Sequence, residues 1–156
     1  MTSELLCANL IERYLATCGL RFLRGDHDGE YFCAANTGPG RLHVRLEIPA
    51  TFGDVLHISV TRARPFPVAD RPLLTHFADA WNRQNRGVTA IVQGSCDSQR
   101  VGVSARQALW IRDDITFEEF ACAVDRAIAA AIDLFAELKP VVDVPSLTQP
   151  VLRNAS

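Results

Sequence analysis

RLHVRLEIPATFGDVLHISVT, residues 41–61, decides the fold. Leu42, Val44, Leu46 and Ile48 alternate with Arg41, His43, Arg45 and Glu47, the period of two that marks a half-buried strand. Leu56, Ile58 and Val60 then alternate with His57, Ser59 and Thr61. The linker PATFGD is short, so the two strands pair antiparallel. One face of their sheet is apolar and the other polar, as in a sheet covered on one side only.

Upstream, Leu6, Leu10, Ile11 and Leu15 fall at helical spacing over residues 3–18, with Ser3 placed to cap the start and Gly19 to stop it. Residues 21–24 and 30–35 read as strands, separated by the turn GDHDGE and followed by the turn NTGPG. Downstream, RARPFPVADRP (62–72) reads as a loop into a second helix capped by Asp70 or a neighbour, with Pro72 in its first turn. Leu73, Leu74, Phe77, Ala78 and Trp81 form that helix's apolar face, and Gly87 lies just past its end. Two more strands, 88–94 and 100–107, are joined by SCDSQ, and ALWIRDDI reads as a connection.

The last helix carries the best local signature. Thr116 and Glu119 form a capping box, and Ile115 and Phe120 a hydrophobic staple. Its stripe runs through Phe117, Phe120, Val124, Ile128, Ala131, Phe135 and Leu138. Ending near Lys139 it is about 34 Å long, enough to cross a sheet. Pro140 is expected to stop it, leaving residues 140–156 as an extended, proline-containing tail. The whole reads as one α+β domain over residues 1–139: an N-terminal helix, an antiparallel sheet of five to six strands interrupted by a second helix, and a long C-terminal helix packed on the sheet.

Composition bounds the function. The 156 residues are 48% hydrophobic and 22% charged, ordinary for one globular domain. A net charge of −2 argues against a chain built to hold nucleic acid. MTSELLCANLIERYL lacks a basic start and reads as an amphipathic helix, not a signal peptide, and no apolar run is long enough to span a membrane. A cytoplasmic protein is expected. The five cysteines are scattered without a C-x-x-C pair, which suggests reduced, mostly buried thiols.

IERYLATCGLRF, LTHFADAWNRQNRGVTAIV and ITFEEFACAVDRAIAAAIDLFAEL together resemble the YbjN family of bacterial proteins, described as sensory transduction regulators. The resemblance spans roughly residues 3 to 139 and implies a fold like that of the small chaperones of type III secretion. It implies a chaperone-like or regulatory binding module and names no ligand.

Candidate sites each admit a plain structural reading beside the functional one. Trp81, Asn82 and Asn85 are either a core tryptophan with amides tying off helix-end carbonyls, or a partner-binding corner. Arg62, Arg64 and Phe66, with Trp110 and Ile111 in the other connection, are either an apolar patch rimmed by arginine or two loops folded over the core edge. His43 and His57 share the polar strand face and, with Glu47, offer a metal site; His27 and His76 add no obvious help. GDHDGE is a poor calcium loop. Cys96 sits in a turn as a possible nucleophile without a basic neighbour in sequence. NTGPGR leads into a strand and offers phosphate no helix start, so no cofactor is expected.

Three functions compete. The leading one is a non-enzymatic module that binds a protein or peptide segment, or a second copy of itself, through the polar or edge side of the sheet and the second helix, using Arg62, Arg64, Phe66, Trp81, Asn82, Asn85 and Trp110. The second is a small enzyme or metal-binding protein using His43 and His57 or Cys96. The third, nucleic-acid binding through scattered arginines, is disfavoured by the charge.

Overall fold

The computed structural model describes the backbone of residues 3–49, 51 and 53–155, and the side chains of residues 9–49, 51 and 53–142. The elements, in chain order, are α1 (Ser3–Thr17), β1 (Phe22–Arg24), β2 (Glu30–Thr37), β3 (Gly40–Glu47), β4 (Val55–Arg62), β5 (Phe66–Pro67), α2 (Arg71–Arg83), β6 (Thr89–Gly94), β7 (Arg100–Trp110) and α3 (Phe117–Ala155). This is the expected α+β arrangement. The sheet has seven strands, all paired antiparallel.

Register explains the strand order. β3 and β4 pair with Val44 opposite Val60 and Leu46 opposite Ile58, so the alternating apolar positions fall on one face. β4 runs beside β7 as far as Thr61 opposite Ser104, and pairing resumes with Phe66 of β5 opposite Val101. Four residues on the β4–β5 side, 62–65, thus lie opposite two on β7, 102 and 103, a bulge that bends the sheet. Val101 also pairs with Gly94, so β5 lies on the β4 side of β7 and β6 forms the far edge. Residues 66–70, expected to be loop, hold this two-residue strand and a 3-10 turn (Val68–Asp70). Residues 108–110, expected to be a connection, complete β7.

The inner face carries the core. Leu42, Val44, Leu46, Leu56, Ile58, Val60, Val101, Val103 and Ala105 are buried beneath the helices, together with Ile11 and Leu15 of α1, Leu74 and Ala78 of α2, and Phe120, Val124, Ala131 and Leu134 of α3. Glu12 of α1 accepts hydrogen bonds from Arg24 (2.8 Å) and Tyr31 (2.7 Å), and Tyr14 donates to Asp125 of α3 at 2.5 Å. All three helices therefore lie on one side of the sheet. Ser3, Leu6 and Cys7 lie outside the residues whose side chains are described.

Helix ends follow the sequence signals in two cases and depart in two. Gly19, at φ +69°, closes α1 with Leu20 N–H bonded to Leu15 C=O (3.1 Å) and Gly19 N–H to Ala16 C=O (3.0 Å), a Schellman ending. Thr116 accepts the Glu119 N–H at 3.1 Å, as the capping box requires. Asp70, in contrast, makes no side-chain capping bond, because the preceding 3-10 turn holds it in helical geometry. The expected stop at Pro140 and extended tail are overturned, since helical backbone continues to Ala155. Val142 is buried and Val141 packs against the core, so apolar contacts beyond the proline keep the helix in line despite one missing N–H donor.

Candidate functional site

The WNRQN corner is built into the fold. Trp81 is buried between Phe77 (ring centroids 6.1 Å apart) and the Arg86 guanidinium (4.0 Å), and Arg86 in turn binds Glu137 of α3 through two hydrogen bonds of 2.9 and 2.6 Å. The Trp81 indole N–H donates to Val88 C=O at 2.9 Å. The Asn82 amide donates to Ala90 C=O (2.9 Å) and accepts from Ala90 N–H (2.8 Å). These are backbone groups of β6 and its approach, not the helix-end carbonyls expected of Asn82. Asn85 takes φ +50°, the left-handed conformation asparagine tolerates best after glycine.

The other expected clusters disperse. Phe66 and Trp110 fall at opposite ends of β7, opposite Val101 and Val55, roughly 30 Å apart at strand rise. Phe66 is buried under Arg62, whose guanidinium lies 4.4 Å from its ring, Ile111 is also buried, and Arg64 is exposed. They form no single patch with Trp110, which is 71% exposed. His43 stands opposite Thr61 and His57 opposite Glu47, so the two histidines are four residues apart along the sheet and share no ligand position. Nor are the cysteines mostly buried: among the residues whose side chains are described Cys33 is, but Cys18, Cys96 and Cys122 are exposed.

The organised surface is the outer face of the sheet, opposite the helices. One row crosses it with a residue from each of six strands: Leu23 opposite Phe32, Phe32 opposite Arg45, Arg45 opposite Ser59, Ser59 opposite Arg106, and Arg106 opposite Thr89. The next row runs Ala34, His43, Thr61, Ser104 and Ile91. Between these rows lies a trough of about 650 Å³, lined also by Arg21 and Gln93 and by no carboxylate. Leu23 is 74% exposed and Phe32 40%, unusual for large apolar side chains.

Two networks fix its polar groups. Arg106 donates to the Gln93 amide oxygen at 2.7 Å, and the Gln93 amide nitrogen donates to the Ser104 hydroxyl at 2.9 Å. This orients the amide and holds the guanidinium over the trough. At the opposite margin Arg45 bridges Glu30 and Glu47, with 2.9 Å to the latter, and Glu47 also accepts from His27 Nε2 at 2.8 Å. His27 Nδ1 accepts the Gly29 N–H at 3.3 Å, which leaves the ring proton on Nε2. The Arg45 guanidinium, helped by the Asp26 backbone N–H, holds the Glu30 carboxyl below its ordinary range.

His27, Glu30 and Glu47 bring donor atoms within 4.8 Å of one another, the grouping most like a metal site among the described residues. Arg45 already occupies both carboxylates, so the donor set reads as an ion-pair network. His27 sits in a turn, outside any strand alternation. The one sequence signal for it was the pair of flanking glycines: a Cβ at Gly25 would strike the Glu30 carboxylate, and one at Gly29 would lie 2.6 Å from Ile48 C=O. Among the described residues no hydroxyl or thiol is hydrogen-bonded to a histidine, and no helix is long and apolar enough to cross a membrane. The groups the outer face displays are guanidinium, amide and aromatic side chains.

Comparison with known proteins places this geometry. No curated protein matches the chain. Among solved structures, YbjN from E. coli, described as "a putative transcription regulator", superposes with a TM-score of 0.63 at 15% identity, covering 83% of this chain and 88% of that one. An uncharacterized protein from Methanothermobacter thermautotrophicus superposes with a TM-score of 0.53 at 14% identity, covering 85% and 96%. At these identities the likeness concerns the fold. The YbjN family profile, "Putative bacterial sensory transduction regulator", matches residues 8–140. That match covers most of the sequence, and the chain belongs to the YbjN family.

Proposed function

We propose that the protein is a non-enzymatic binding module of regulatory type, and that it holds a protein segment on the open face of its sheet. The observation that carries this reading is the trough of about 650 Å³, where exposed Leu23 and Phe32 stand in one row with Arg45 and Arg106. Its size is that of a ligand site, and exposed aromatic and arginine side chains are the usual anchors of recognition. Holding an extended segment in the manner of a chaperone is one form of this activity. The description of the family as regulators agrees with it.

Binding on the face is favoured over strand addition at the edges. β1 has three residues, and the β6 edge is occupied at Val88 and Ala90 by Trp81 and Asn82. The test is selection of a random peptide library on the full chain and on Ser59→Trp, which fills the trough from an outward position. Selected peptides should bind the Ser59→Trp variant about tenfold or more weakly. Equal binding to both proteins would remove the face from consideration. A second copy of the chain is the competing occupant, and a dimer that dissociates on Ser59→Trp in sedimentation velocity would assign the face to it.

A further inference from the structure

We infer that the segment bound on this face is extended, crosses the strands, and carries an apolar side chain and a carboxylate four residues apart. The inference rests on the binding reading above and adds the chemistry of the partner. The row across the sheet has two distinct ends. Leu23 and Phe32 supply exposed apolar surface on neighbouring strands. Arg106, three strands from Phe32, supplies a guanidinium fixed by the neutral Gln93 amide and left with donors to spare. Arg45, between them, has its charge shared with Glu30 and Glu47. The row therefore offers an apolar anchor at one end and the Arg106 guanidinium at the other, with exposed Arg21 lining the trough just before β1, in a chain whose net charge is −2.

Distance converts this arrangement into a spacing. Three strand separations are about 14 Å. An extended peptide rises about 3.3 Å per residue, so about four residues span them. Four is even, and an extended chain directs residues i and i+4 to the same side. Spacings of three or five would turn one of the two side chains away from the sheet. A polyanion fits less well than a single carboxylate, because Glu30 and Glu47 form the adjoining row and would repel successive phosphates.

The experiment uses fluorescently labelled peptides of about ten residues in a Ser/Thr/Gly background. Each carries one Phe and one Glu at a spacing of three, four or five, in both orders, and is titrated against the full chain by polarisation. The spacing of four should bind about tenfold or more tightly than three or five. Arg106→Glu should abolish that preference, and a peptide with Lys in place of Glu should recover binding to the variant, a recovery no misfolded protein would give. Phe32→Ala should weaken binding irrespective of the acidic residue. Peptides that bind the face without regard to the carboxylate or its spacing would overturn the inference and leave the binding module standing. If no selected or designed peptide is sensitive to Ser59→Trp, both fall. Salt-sensitive retention of a single-stranded oligonucleotide, lost in Arg106→Glu, would overturn the inference in favour of nucleic acid.

Discussion

An edge strand exposes N–H and C=O groups that can template unwanted pairing. At β6 these groups are met from α2: the Trp81 indole takes the carbonyl of Val88, and the Asn82 amide takes both backbone groups of Ala90. Two adjacent helix residues thus serve two backbone positions spaced i and i+2 on the same edge, which accounts for the Trp-Asn pair. Asn82→Ala should cost about 1–2 kcal/mol in denaturant unfolding and increase concentration-dependent association, since the edge is then open. Wild-type stability in that variant would show that water satisfies Ala90 equally well. At Asn85, where φ is +50°, glycine should be tolerated and Asn85→Val should cost about 1–2 kcal/mol. The sequence showed Trp81 as a continuation of the helix's apolar face but not what Asn82 bonds, because that partner lies in the following strand and is set by the turn at residues 84–87.

Among the elements, the β1–β2 hairpin is held at its turn by Glu30. Glu30 is almost wholly buried, accepts from Asp26 N–H at 3.0 Å and Arg45 Nε at 2.8 Å, and lies where a Gly25 side chain would go. Gly25→Ala should destabilise by about 1–3 kcal/mol. Combined with Glu30→Ala it should cost less than the sum of the two single changes, because both act on the same space. Strict additivity in that cycle would show that the hairpin relaxes elsewhere. Such crowding was hidden in the sequence, where GDHDGE read only as a turn. The elements with clean periodicity behaved otherwise: β3 and β4 alternate as written, and the capping box at Thr116 starts α3 where it should. Misreadings cluster where proline punctuates. β5 is two residues long between Pro65 and Val68, and α3 passes Pro140 because Val142 finds the core.

For the whole molecule, charge pairing joins α1 to β1 through Glu12 and Arg24, β2 to β3 through Glu30 and Arg45, and α3 to the turn after α2 through Glu137 and Arg86. Glu12 is held below its ordinary value of 4.5 by the Tyr31 hydroxyl and then by Arg24, Glu30 by Arg45, and Glu137 by Arg86. A carboxyl whose pKa is lowered on folding contributes stability that is present above its unfolded pKa. That contribution is lost as pH falls through its folded pKa. Stability should therefore decline from about pH 5 towards about pH 3, and Glu30→Gln, less stable at neutral pH, should decline less steeply. Identical slopes in denaturant titrations at each pH would place the acid-sensitive groups elsewhere.

The row on the open face has a consequence for cooperativity. Its residues come from six strands, with Leu23 near the start of the chain and Arg106 well beyond its middle. No hairpin or half-sheet contains both anchors, so a partially folded chain cannot hold a ligand that needs them. Ligand binding and completion of the sheet are then a single equilibrium. A bound segment would stabilise the native state by mass action, and it would slow hydrogen exchange in β1 and β7 together, although those strands never touch. Occupancy, in such a protein, is a report that every strand is in place.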